Sequence, residues 1–574
     1  MRTLLTTLHS KFIHNSLALP CISTYCGNDC GEILIREYTI HEPKENILSA
    51  ILAEEPDVVA FSVYIWNRRE SFELIDLLAT VQPELKLVIG GPEISFDSDD
   101  LFIAHPGLTA LVRGEGEVPM RDLLTAWRHE KKPEGVARLT WRNDKKIITG
   151  ADSPPLARMD DIPSPFQLGM IDRSSVLVYY ETSRGCPYNC SFCMSALDDR
   201  VRSYSMERIK SDLKWLIDQN VAKVKLVDRT FNYDANRALE IFRYILEHNN
   251  RSHFHFEIGA HLINEETLAL LEQVPTGMFQ FEIGVQSTLP ETLSAIDRKV
   301  SLKKVLQNIE QLKKRTNIAL HLDLIAGLPG ENYQHFLKSI DSLLALDPDH
   351  LQIEPVKLLP GSPMRNSAKM QNLHYDPNPP YTIVAGENLS FSEIDRLKAI
   401  SRLLDLSWNS RRLKGFLSAL SAQQGSMGAA LEILALHLQN NGLFRLPLSQ
   451  NGLFAAIWTF IRNQFSDREL QYLREQLARD YALCERVIPA KAPDFFDINL
   501  CLNEQNKISD LVQKRRHELT GRNIKLQYFA TAFRHIGNSN KRNIHLFLYL
   551  THSGKGREVD EIIFPGDPDF DDRL

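Results

Sequence analysis

Short apolar segments alternate with longer amphipathic ones along about the first 150 residues. The short segments have the composition of strands, and the longer ones, such as Lys44–Glu54 and Arg68–Thr80, have helical length and pattern. The predicted strands are Thr3–Leu8, Glu32–Ile40, Val58–Val63, Leu85–Ile89 and Leu108–Val112. Because strands that alternate with helices are joined by right-handed crossovers, this region predicts an open, doubly wound parallel sheet. A hairpin of Arg138–Trp141 and Lys146–Thr149 closes it.

The same alternation resumes near residue 175. The predicted strands are Val176–Thr182, Ala222–Val227, Phe254–His261, Phe279–Val285, Ile318–Ile325 and His350–Glu354. Between the first two lies a clear amphipathic helix, Met206–Ile217, with Ser205 as its N-cap. A closed eight-stranded barrel typically takes ~250 residues. Six βα units in about 180 residues therefore predict a partial (β/α)6 barrel.

Polar and apolar residues alternate within the strands of this second region. Strands of a parallel sheet that is covered on both faces are normally apolar throughout. With helices on the apolar face, the polar face must line the inside of the partial barrel, which implies a bound polar ligand. An antiparallel sheet with one solvated face would alternate in the same way, but the helix-length connections argue against hairpins. The candidate lumen residues are Glu257, His261, Glu282, His321 and Asp323, which could bind a ligand or each other.

This organisation predicts an α/β protein with three domains and a linker. Residues 1–150 form the first sheet domain, 151–174 a linker with four prolines, 175–390 the partial barrel, and 391–574 a mainly helical extension of unknown role. The predicted helices of the extension are Glu393–Leu406, Met427–Asn440, Leu453–Gln464 and Arg468–Val487. Its last part contains two strand-like segments, Ile524–Phe533 and Asn543–Leu550.

Composition narrows the class of protein. AVILMFWYC residues make up 43% of the 574 residues and charged residues 24%, which is ordinary for a globular protein and excludes disorder. A net charge of −7 gives no support for a nucleic-acid partner. No apolar run reaches the ~20 residues that span a bilayer, and the N-terminus lacks the features of a secretory signal. We therefore expect a cytoplasmic protein without a membrane partner, whose eight cysteines stay reduced.

Three of these cysteines lie close together in the loop that follows the strand Val176–Thr182. Cys186, Cys190 and Cys193 have the spacing C-x3-C-x2-C, with the aromatic Phe192 before the last. Thiolates are ligands of zinc and of iron–sulfur clusters. A structural zinc site needs four protein ligands, and the loop offers no fourth Cys or His. Three thiolates on a four-iron cluster instead leave one iron open to a substrate or cofactor.

This loop resembles that of the radical S-adenosylmethionine (SAM) superfamily, in which three cysteines hold a [4Fe–4S] cluster whose open iron chelates SAM. Segments at the ends of later barrel strands are similar to the SAM-binding elements of that family. They are Val227–Asn232, which departs from the usual Gly-Gly-Glu, Glu282–Ser287 and Asp323–Glu331. The resemblance implies SAM contacts at Phe192, Asp228, Glu282, Gly284, Gln286, Ser287, Asp323, Gly327 and Pro329.

Loops at the carboxyl ends of the first sheet's strands form a second candidate site, because open α/β sheets bind ligands at that edge. Upstream of a radical SAM loop, they resemble the Rossmann-like cobalamin-binding domain of B12-dependent radical SAM enzymes. The chain lacks Asp-x-His-x-x-Gly, so the resemblance is to the branch in which histidine does not hold the lower face of cobalt. Tyr64 and Trp66 could shield cobalt or belong to the core. The implied cobalamin contacts are Ser62, Tyr64, Trp66, Gly90, Gly91, Pro92, Glu93, Gly114, Glu115, Gly116 and Glu117.

Cys21, Cys26 and Cys30 form a second group of cysteines in sequence. Their spacing suits one broad face of a helix that begins after Asn15. Because cysteine is often simply buried, the pattern favours core positions over an auxiliary cluster.

The two resemblances cover about residues 1–390 and imply a B12-dependent radical SAM enzyme, with C-methylation as the leading activity. In such an enzyme a 5′-deoxyadenosyl radical removes hydrogen from an unactivated carbon, and methylcobalamin, recharged by a second SAM, delivers the methyl group. An electron donor such as flavodoxin or ferredoxin would reduce the cluster. The alternatives are a cobalamin-dependent radical cyclase or rearrangement enzyme, a non-catalytic cobalamin or redox sensor, and a zinc-binding scaffold. The sequence identifies neither the substrate nor catalytic residues.

Overall fold

The computed structural model describes residues 1–96, 100–198, 200–496, 498–520, 523–536, 541–552 and 556–567. The chain divides into two compact units. The first consists of Met1–Glu331 and Pro355–Phe391, and the second of Asn332–Glu354 and Ser392–Leu574. Both sheets that the hydrophobic pattern predicts therefore have their main part in the first unit. The finer division at residues 150, 175 and 390 stays a prediction.

The N-terminal sheet is doubly wound, as the alternation predicts. Its strands are β1 (Arg2–His9), β2 (Glu32–Thr39), β3 (Val58–Ser62), β4 (Lys86–Gly90), β5 (Leu108–Val112), β6 (Leu139–Asn143) and β7 (Lys146–Thr149). The spatial order is β2-β1-β3-β4-β5-β6-β7, in which β1 to β5 are parallel and the last two form the expected hairpin. Because the chain leaves β1 toward β2 and returns to β3 on its other side, the sheet has a topological switch point there.

Helices cover both faces of this sheet. They are α1 (Ala18–Cys26), α2 (Lys44–Ala53), α3 (Arg68–Val81), α4 (Asp100–Ala104) and α5 (Glu117–Arg128), with a 3-10 turn at Gly27–Cys30. One apolar layer packs under α2 and α3 and a second under α1 and α5. Cys21, Cys26 and Cys30 are all buried on the α1 side, as core positions require, and their assignment to the core rather than to a cluster stays a prediction.

The proline-rich segment after this sheet packs against the second sheet region. Met159, Ile162 and Phe166 are buried, and Ser164 Oγ donates a hydrogen bond to Asp212 Oδ1 at 2.6 Å. The segment is thus part of the first unit and is fixed by side-chain burial rather than by regular secondary structure.

The second sheet consists of parallel strands in sequential order, as a partial barrel requires. Within the first unit its strands are β8 (Leu177–Tyr180), β11 (Lys223–Leu226), β12 (His253–Glu257), β13 (Phe279–Gln286) and β14 (Ala319–Ala326), and a short antiparallel pair, β9 (Ser183–Arg184) and β10 (Arg202–Ser203), follows β8. The helices are α6 (Met206–Asp218), α7 (Ala235–His248), α8 (Glu265–Leu271), α9 (Pro290–Ala295) and α10 (Leu302–Arg315). Ser205 caps α6 as predicted.

Burial along these strands confirms the alternating pattern. In β13 and β14 every second residue is buried and the residues between them are partly exposed. Phe242 of α7 packs on Phe256, Phe279 and Phe281 of the apolar face. The polar residues between those positions face the lumen.

The chain then forms α11 (Tyr333–Leu344) and β15 (His350–Pro355), the sixth predicted strand, most of which falls to the second unit. It returns to the first unit with α12 (Pro363–Ser367) and the antiparallel pair β16 (His374–Tyr375) and β17 (Ile383–Ala385). The sequence pattern did not predict this short pair.

The second unit is mainly helical and ends in an antiparallel sheet. Its elements are α13 (Phe391–Leu406), α14 (Lys414–Gln424), α15 (Met427–Asn440), α16 (Gln450–Gln464), α17 (Asp467–Cys484), α18 (Leu502–Glu518), β18 (Ile524–Phe533), β19 (Asn543–His552) and β20 (Arg557–Pro565). The strand β20 was missed because its sequence is rich in charge, and it is defined by pairing with β19 and by burial of Phe564. Within the described ranges, no helix is both long and apolar enough to cross a membrane.

Candidate cofactor site

A large opening in the first unit lies where the carboxyl ends of the two sheets meet. It is a cavity of about 1310 Å³, lined by loops that follow β1, β3, β4 and β5 and by the ends of β8 and β11. Pockets for drug-sized ligands are usually ~300–1,000 Å³, so this cavity suits a larger molecule or two ligands together.

Most of the residues predicted to contact cobalamin line this cavity. They are Ser62, Tyr64, Trp66, Gly90, Gly91, Pro92, Gly114, Glu115, Gly116 and Glu117. Glu93 does not line it. Its carboxylate is buried and accepts a short hydrogen bond from Tyr381, with Arg68 Nη1 at 3.4 Å. The cobalamin contacts themselves stay predictions.

Tyr64 and Trp66 form an aromatic wall of the cavity. Their rings stack at 4.5 Å between centroids and are 5° from parallel. Trp66 is 41% exposed, and its indole Nε1 donates a hydrogen bond to the carbonyl of Leu8. Of the two alternatives left by the sequence, burial in the core is thus ruled out for Trp66, whose exposed face is available to a flat ring.

The glycines of these loops allow close contact between protein segments. Gly91 has a φ of +108°, and a Cβ there would lie 2.5 Å from the carbonyl oxygen of Val63. A Cβ on Gly114 would meet the guanidinium of Arg138, and one on Gly116 would meet Ile22. These glycines therefore shape the cavity by packing its loops together.

The cysteine loop leaves the barrel at the end of β8, beside the same cavity. Cys186 and Cys190 are buried and Cys193 is partly exposed, while Phe192 is partly buried. Among the described residues, no three Cys, His, Asp or Glu side chains converge as a single metal ion would require. On a four-iron cluster each thiolate would bind a different iron, so the loop's donor set fits a cluster better than zinc.

Arg298 is a neighbour of this loop that the sequence did not reveal. Its Nη1 donates to Cys190 Sγ at 3.6 Å, and its Nη2 donates to the carbonyl of Gly284 on β13. Burial raises the pKa of the Cys190 thiol, and the Arg298 charge opposes that rise. A cationic hydrogen-bond donor beside a thiol favours the thiolate that iron requires.

Tyr188, between the first two cysteines, contacts the lumen residue His261. The phenol oxygen lies 2.6 Å from His261 Nε2. Burial, with the nearby charges of Arg298 and Lys304, lowers the pKa of His261 to about 4. The imidazole is therefore neutral near pH 7 and shares a hydrogen bond with the phenol.

The polar lumen contains a network of charges rather than isolated groups. Glu282 Oε2 lies 3.1 Å from Lys225 Nζ and 2.8 Å from His255 Nε2. Although burial would raise the pKa of Glu282, His255 and Lys225 lower it to about 2. Burial, together with the charges of Glu282 and Glu257, raises the pKa of Asp323 well above its usual range. Glu282 is thus ionised near pH 7, whereas the surroundings of Asp323 favour its neutral form.

Other residues predicted to contact SAM have different surroundings. Gln286, at a φ of +71°, keeps its Oε1 buried without a hydrogen bond from the part of the chain that the structure describes, so it can accept one from a ligand. Asp228 is fully buried and accepts hydrogen bonds from the Thr182 amide at 3.0 Å and from Ser183 Oγ. Buried Ser287 accepts a hydrogen bond from the Leu289 amide.

The Gly-Leu-Pro turn after β14 is also shaped by protein contacts. Gly327 has a φ of +89°, and a Cβ there would lie 2.8 Å from the Ile383 side chain. Pro329 follows in the same turn. Like Asp228 and Ser287, Gly327 has a structural role whether or not it also contacts a ligand.

Comparison with known families finds matches for both regions that line this site. A model described as the B12 binding domain matches residues 4–124, and one described as the radical SAM superfamily matches residues 180–343. The chain contains a B12-binding domain and a radical SAM domain. Residues 370–548 match a model described as a protein of unknown function (DUF4080).

Characterised relatives share part of this arrangement. The chain is 30% identical over 380 residues to the cobalamin-dependent radical SAM methyltransferase TokK of Streptomyces tokunonensis. The matched segment covers 62% of this chain and 55% of TokK. It is 30% identical over 335 residues, 55% of this chain, to the 2-(S-pantetheinyl)-carbapenam-3-carboxylate methyltransferase of Streptantibioticus cattleyicolor, covering 49% of that protein. The chain thus spans about half the length of these relatives.

Solved structures share the fold of both domains. The cobalamin-dependent SAM radical enzyme OxsB, with aqua-cobalamin and SAM bound, aligns with a TM-score of 0.57 over 84% of this chain and 83% of its own, at 15% identity. The radical SAM methyltransferase TsrM of Kitasatospora setae aligns with a TM-score of 0.53 over 65% of this chain and 77% of its own, at 19% identity. At these identities the likeness concerns the fold alone.

Proposed function

We propose that this chain is a B12-dependent radical SAM enzyme that methylates an unactivated carbon. The proposal rests on one observation: loops of the B12-binding domain and of the cysteine-bearing segment line the same cavity. Tyr64 and Gly90 lie on one side of it, and Met194 and Asp198, which follow the cysteines, on the other. SAM and cobalamin must come close together if a methyl group is to pass between them, and one shared cavity allows this. The methyltransferase relatives, at 30% identity, favour methylation.

When bound, the cluster and cobalamin would supply the redox and methyl-transfer chemistry. One C–H bond becomes a C–CH3 bond, two SAM molecules give methionine, 5′-deoxyadenosine and S-adenosylhomocysteine, and a reductant provides two electrons. Cys186, Cys190 and Cys193 would hold the cluster, with Arg298 donating to the second sulfur. Gln286 Oε1 and the lumen carboxyls offer hydrogen-bonding groups for SAM, and Trp66 offers a flat surface to the corrin.

The reductant and the compartment belong to the same proposal. We infer a one-electron carrier such as flavodoxin or ferredoxin, because reductive cleavage of SAM needs single electrons. Free thiols persist in the cytoplasm, where such carriers work, so we place the protein there.

Anaerobic reconstitution tests the cofactor assignment. We expect about four irons and four sulfides per chain, and one retained corrinoid, in the parent protein. The Cys186→Ala/Cys190→Ala/Cys193→Ala variant should lose iron and sulfide and keep the corrinoid, while Cys484→Ala should keep both. A parent protein that binds a cluster but no corrinoid would remove the methyltransferase proposal.

Turnover with SAM that carries a trideuterated methyl group tests the reaction. Small molecules extracted from the source cells serve as the substrate pool, with titanium(III) citrate as reductant. A product that gains a CD3 group together with 5′-deoxyadenosine supports methylation. Formation of 5′-deoxyadenosine with a changed product but no CD3 group would indicate the cyclase or rearrangement alternative. Absence of 5′-deoxyadenosine would reject radical SAM chemistry.

A further inference from the structure

The cysteine loop is closed at its base by β9 and β10, which pair with Arg184 opposite Arg202. We call Ser183, Arg184, Arg202 and Ser203 the clasp. Gly185, at a φ of +91°, continues the clasp into the loop, and a Cβ there would lie 2.2 Å from the Arg200 carbonyl oxygen. The backbone at residue 185 is therefore tightly packed where the loop leaves the clasp.

Both arginines of the clasp contact the Gly114–Glu117 loop of the B12-binding domain. Arg184 Nη2 donates to Glu117 Oε1 at 2.7 Å. Arg202 Nη2 donates to Glu115 Oε1 at 2.5 Å, and Arg202 Nη1 donates to Glu115 Oε2 at 3.1 Å. The second contact is bidentate, which fixes orientation as well as distance.

These contacts are largely removed from solvent. The side chain of Glu117 is 5% exposed, that of Arg202 10% and that of Arg184 16%. A carboxylate as buried as that of Glu117 is strongly disfavoured without its partner, and the effect is smaller for Glu115, which is 24% exposed. The two contacts therefore resist separation of the clasp from the loop after β5.

Neither arginine needs the B12-binding domain for a carboxylate partner. Arg184 Nη2 also donates to Glu181 Oε1 at 2.7 Å, three residues earlier in the chain. Arg202 Nη2 also donates to Asp198 Oδ2 at 2.7 Å, four residues earlier. Glu115 and Glu117 thus add two carboxylates to arginines that already have local partners. Their effect is a connection between two domains.

We propose that Glu117–Arg184 and Glu115–Arg202 are positioning pairs that hold the cysteine loop at a set distance from the predicted corrin site. This inference rests on the proposed function for its chemical consequence. SAM held at the cysteine loop must be able to reach cobalt, whereas its cleavage by the cluster depends on the loop alone. Loosening the pairs should therefore impair methylation of cobalamin and spare SAM cleavage.

The variants Arg184→Lys and Arg202→Lys keep the positive charge beside the local carboxylate but lose the forked guanidinium that also reaches Glu117 or Glu115. Glu265→Gln is the control, because it breaks an exposed pair with Arg315 at 2.5 Å, outside the site. Each protein is reconstituted, and its iron, sulfide and corrinoid contents are measured. With titanium(III) citrate and SAM but no substrate, formation of 5′-deoxyadenosine and the absorbance change on methylation of bound cobalamin are then followed.

We expect both variants to keep their cofactors and to form 5′-deoxyadenosine at the parent rate. Methylation of cobalamin should slow on the order of 10- to 100-fold, because misplacement by about 1 Å has effects of that size. The control should match the parent in both rates. The proposal would be overturned if SAM cleavage and cobalamin methylation slowed equally, or if neither of them slowed.

Hydrogen exchange of the metal-free protein gives a second measurement that needs no cofactor. Amides of residues 183–198 should exchange on the order of tenfold faster in Arg184→Lys than in the parent, since the loop loses its buried contact with Glu117. If the exchange rates are unchanged, the proposed positioning role of the two pairs is wrong, and this result does not require that the variant binds its cofactors. A parent that neither cleaves SAM nor methylates cobalamin would defeat the proposed function, and the exchange result would still decide the pairs.

Discussion

Arg298 Nη1 lies 3.6 Å from Cys190 Sγ, although the two residues are 108 positions apart in the chain. The same guanidinium donates to the Gly284 carbonyl on β13. One side chain therefore connects the cysteine loop to a strand whose polar face lines the lumen. It also places a positive charge beside a sulfur that is predicted to bind iron.

Arg298→Gln should make the bound cluster harder to reduce. The guanidinium stabilises the more negative, reduced cluster, so its removal should lower the reduction potential on the order of 50 mV. A redox titration followed by electron paramagnetic resonance measures this. Arg315→Gln, which removes a partly exposed arginine of the same first unit, should leave the potential unchanged. A potential that rises in Arg298→Gln would contradict the electrostatic role.

Trp66→Ala should weaken cobalamin binding. Loss of an exposed, rigidly held ring removes a flat contact surface, which we expect to cost about 1.4 kcal/mol, or about tenfold in Kd. Equilibrium titration of the apoprotein with cobalamin measures it. Trp458→Ala, in the second unit, is the matched control. Equal affinity in parent and Trp66→Ala would show that the indole does not contact the corrin.

Gly91→Ala should destabilise the B12-binding domain more than an ordinary glycine replacement. The new Cβ would lie 2.5 Å from a backbone oxygen of Val63, which has no rotamer by which to move away. We expect a loss of about 3 kcal/mol in the free energy of unfolding, measured by denaturant titration. Gly169→Ala also has a positive φ, +69°, but no atom lies within 4 Å of its Cβ, so about 1 kcal/mol is expected there. Similar losses in the two variants would refute the steric argument.

Asp480 in the second unit should make stability depend on pH. Burial raises its pKa to about 7, despite the hydrogen bond that its carboxylate accepts from the Phe416 amide. An acid whose pKa is higher in the folded than in the unfolded protein stabilises the fold most when it is protonated in both states. For Asp480 this holds below the unfolded pKa of about 4, and the stabilisation is lost as pH rises from about 4 to 7. The loss amounts to at most about 4 kcal/mol.

Asp480→Asn removes this titration and keeps an acceptor for the Phe416 amide. Its unfolding midpoint should therefore exceed that of the parent at pH 8, and the difference should shrink at pH 5. Thermal unfolding at both pH values measures this, with the exposed Asp510→Asn as control. A variant that is less stable than the parent at pH 8 would mean that the ionised carboxylate is needed for the Phe416 contact.

Much of the fold follows from local pattern. The alternation of strands and helices, the polar face of β13 and β14 and the cap at Ser205 depend on residues close together in sequence. The spacing of Cys186, Cys190 and Cys193 likewise needs no distant partner to indicate a cluster. Strands such as β20 were missed because their pairing, rather than their own composition, defines them.

The roles of individual site residues were decided by tertiary structure. Glu93 and Glu117 both come directly after glycine-containing turns at strand ends, yet Glu93 is hydrogen-bonded to Tyr381 and Glu117 to Arg184. Asp228 follows its strand as a SAM contact would, but its carboxylate joins the ends of two strands. Such contacts join residues that are 46 to 288 positions apart, and the local sequence pattern carries no information about them. The sequence by itself thus indicated the two sheet regions and predicted the cysteine ligands, because both follow from local pattern. Only the folded chain decided which charged groups face the cavity and which face each other, because those contacts join residues far apart in sequence.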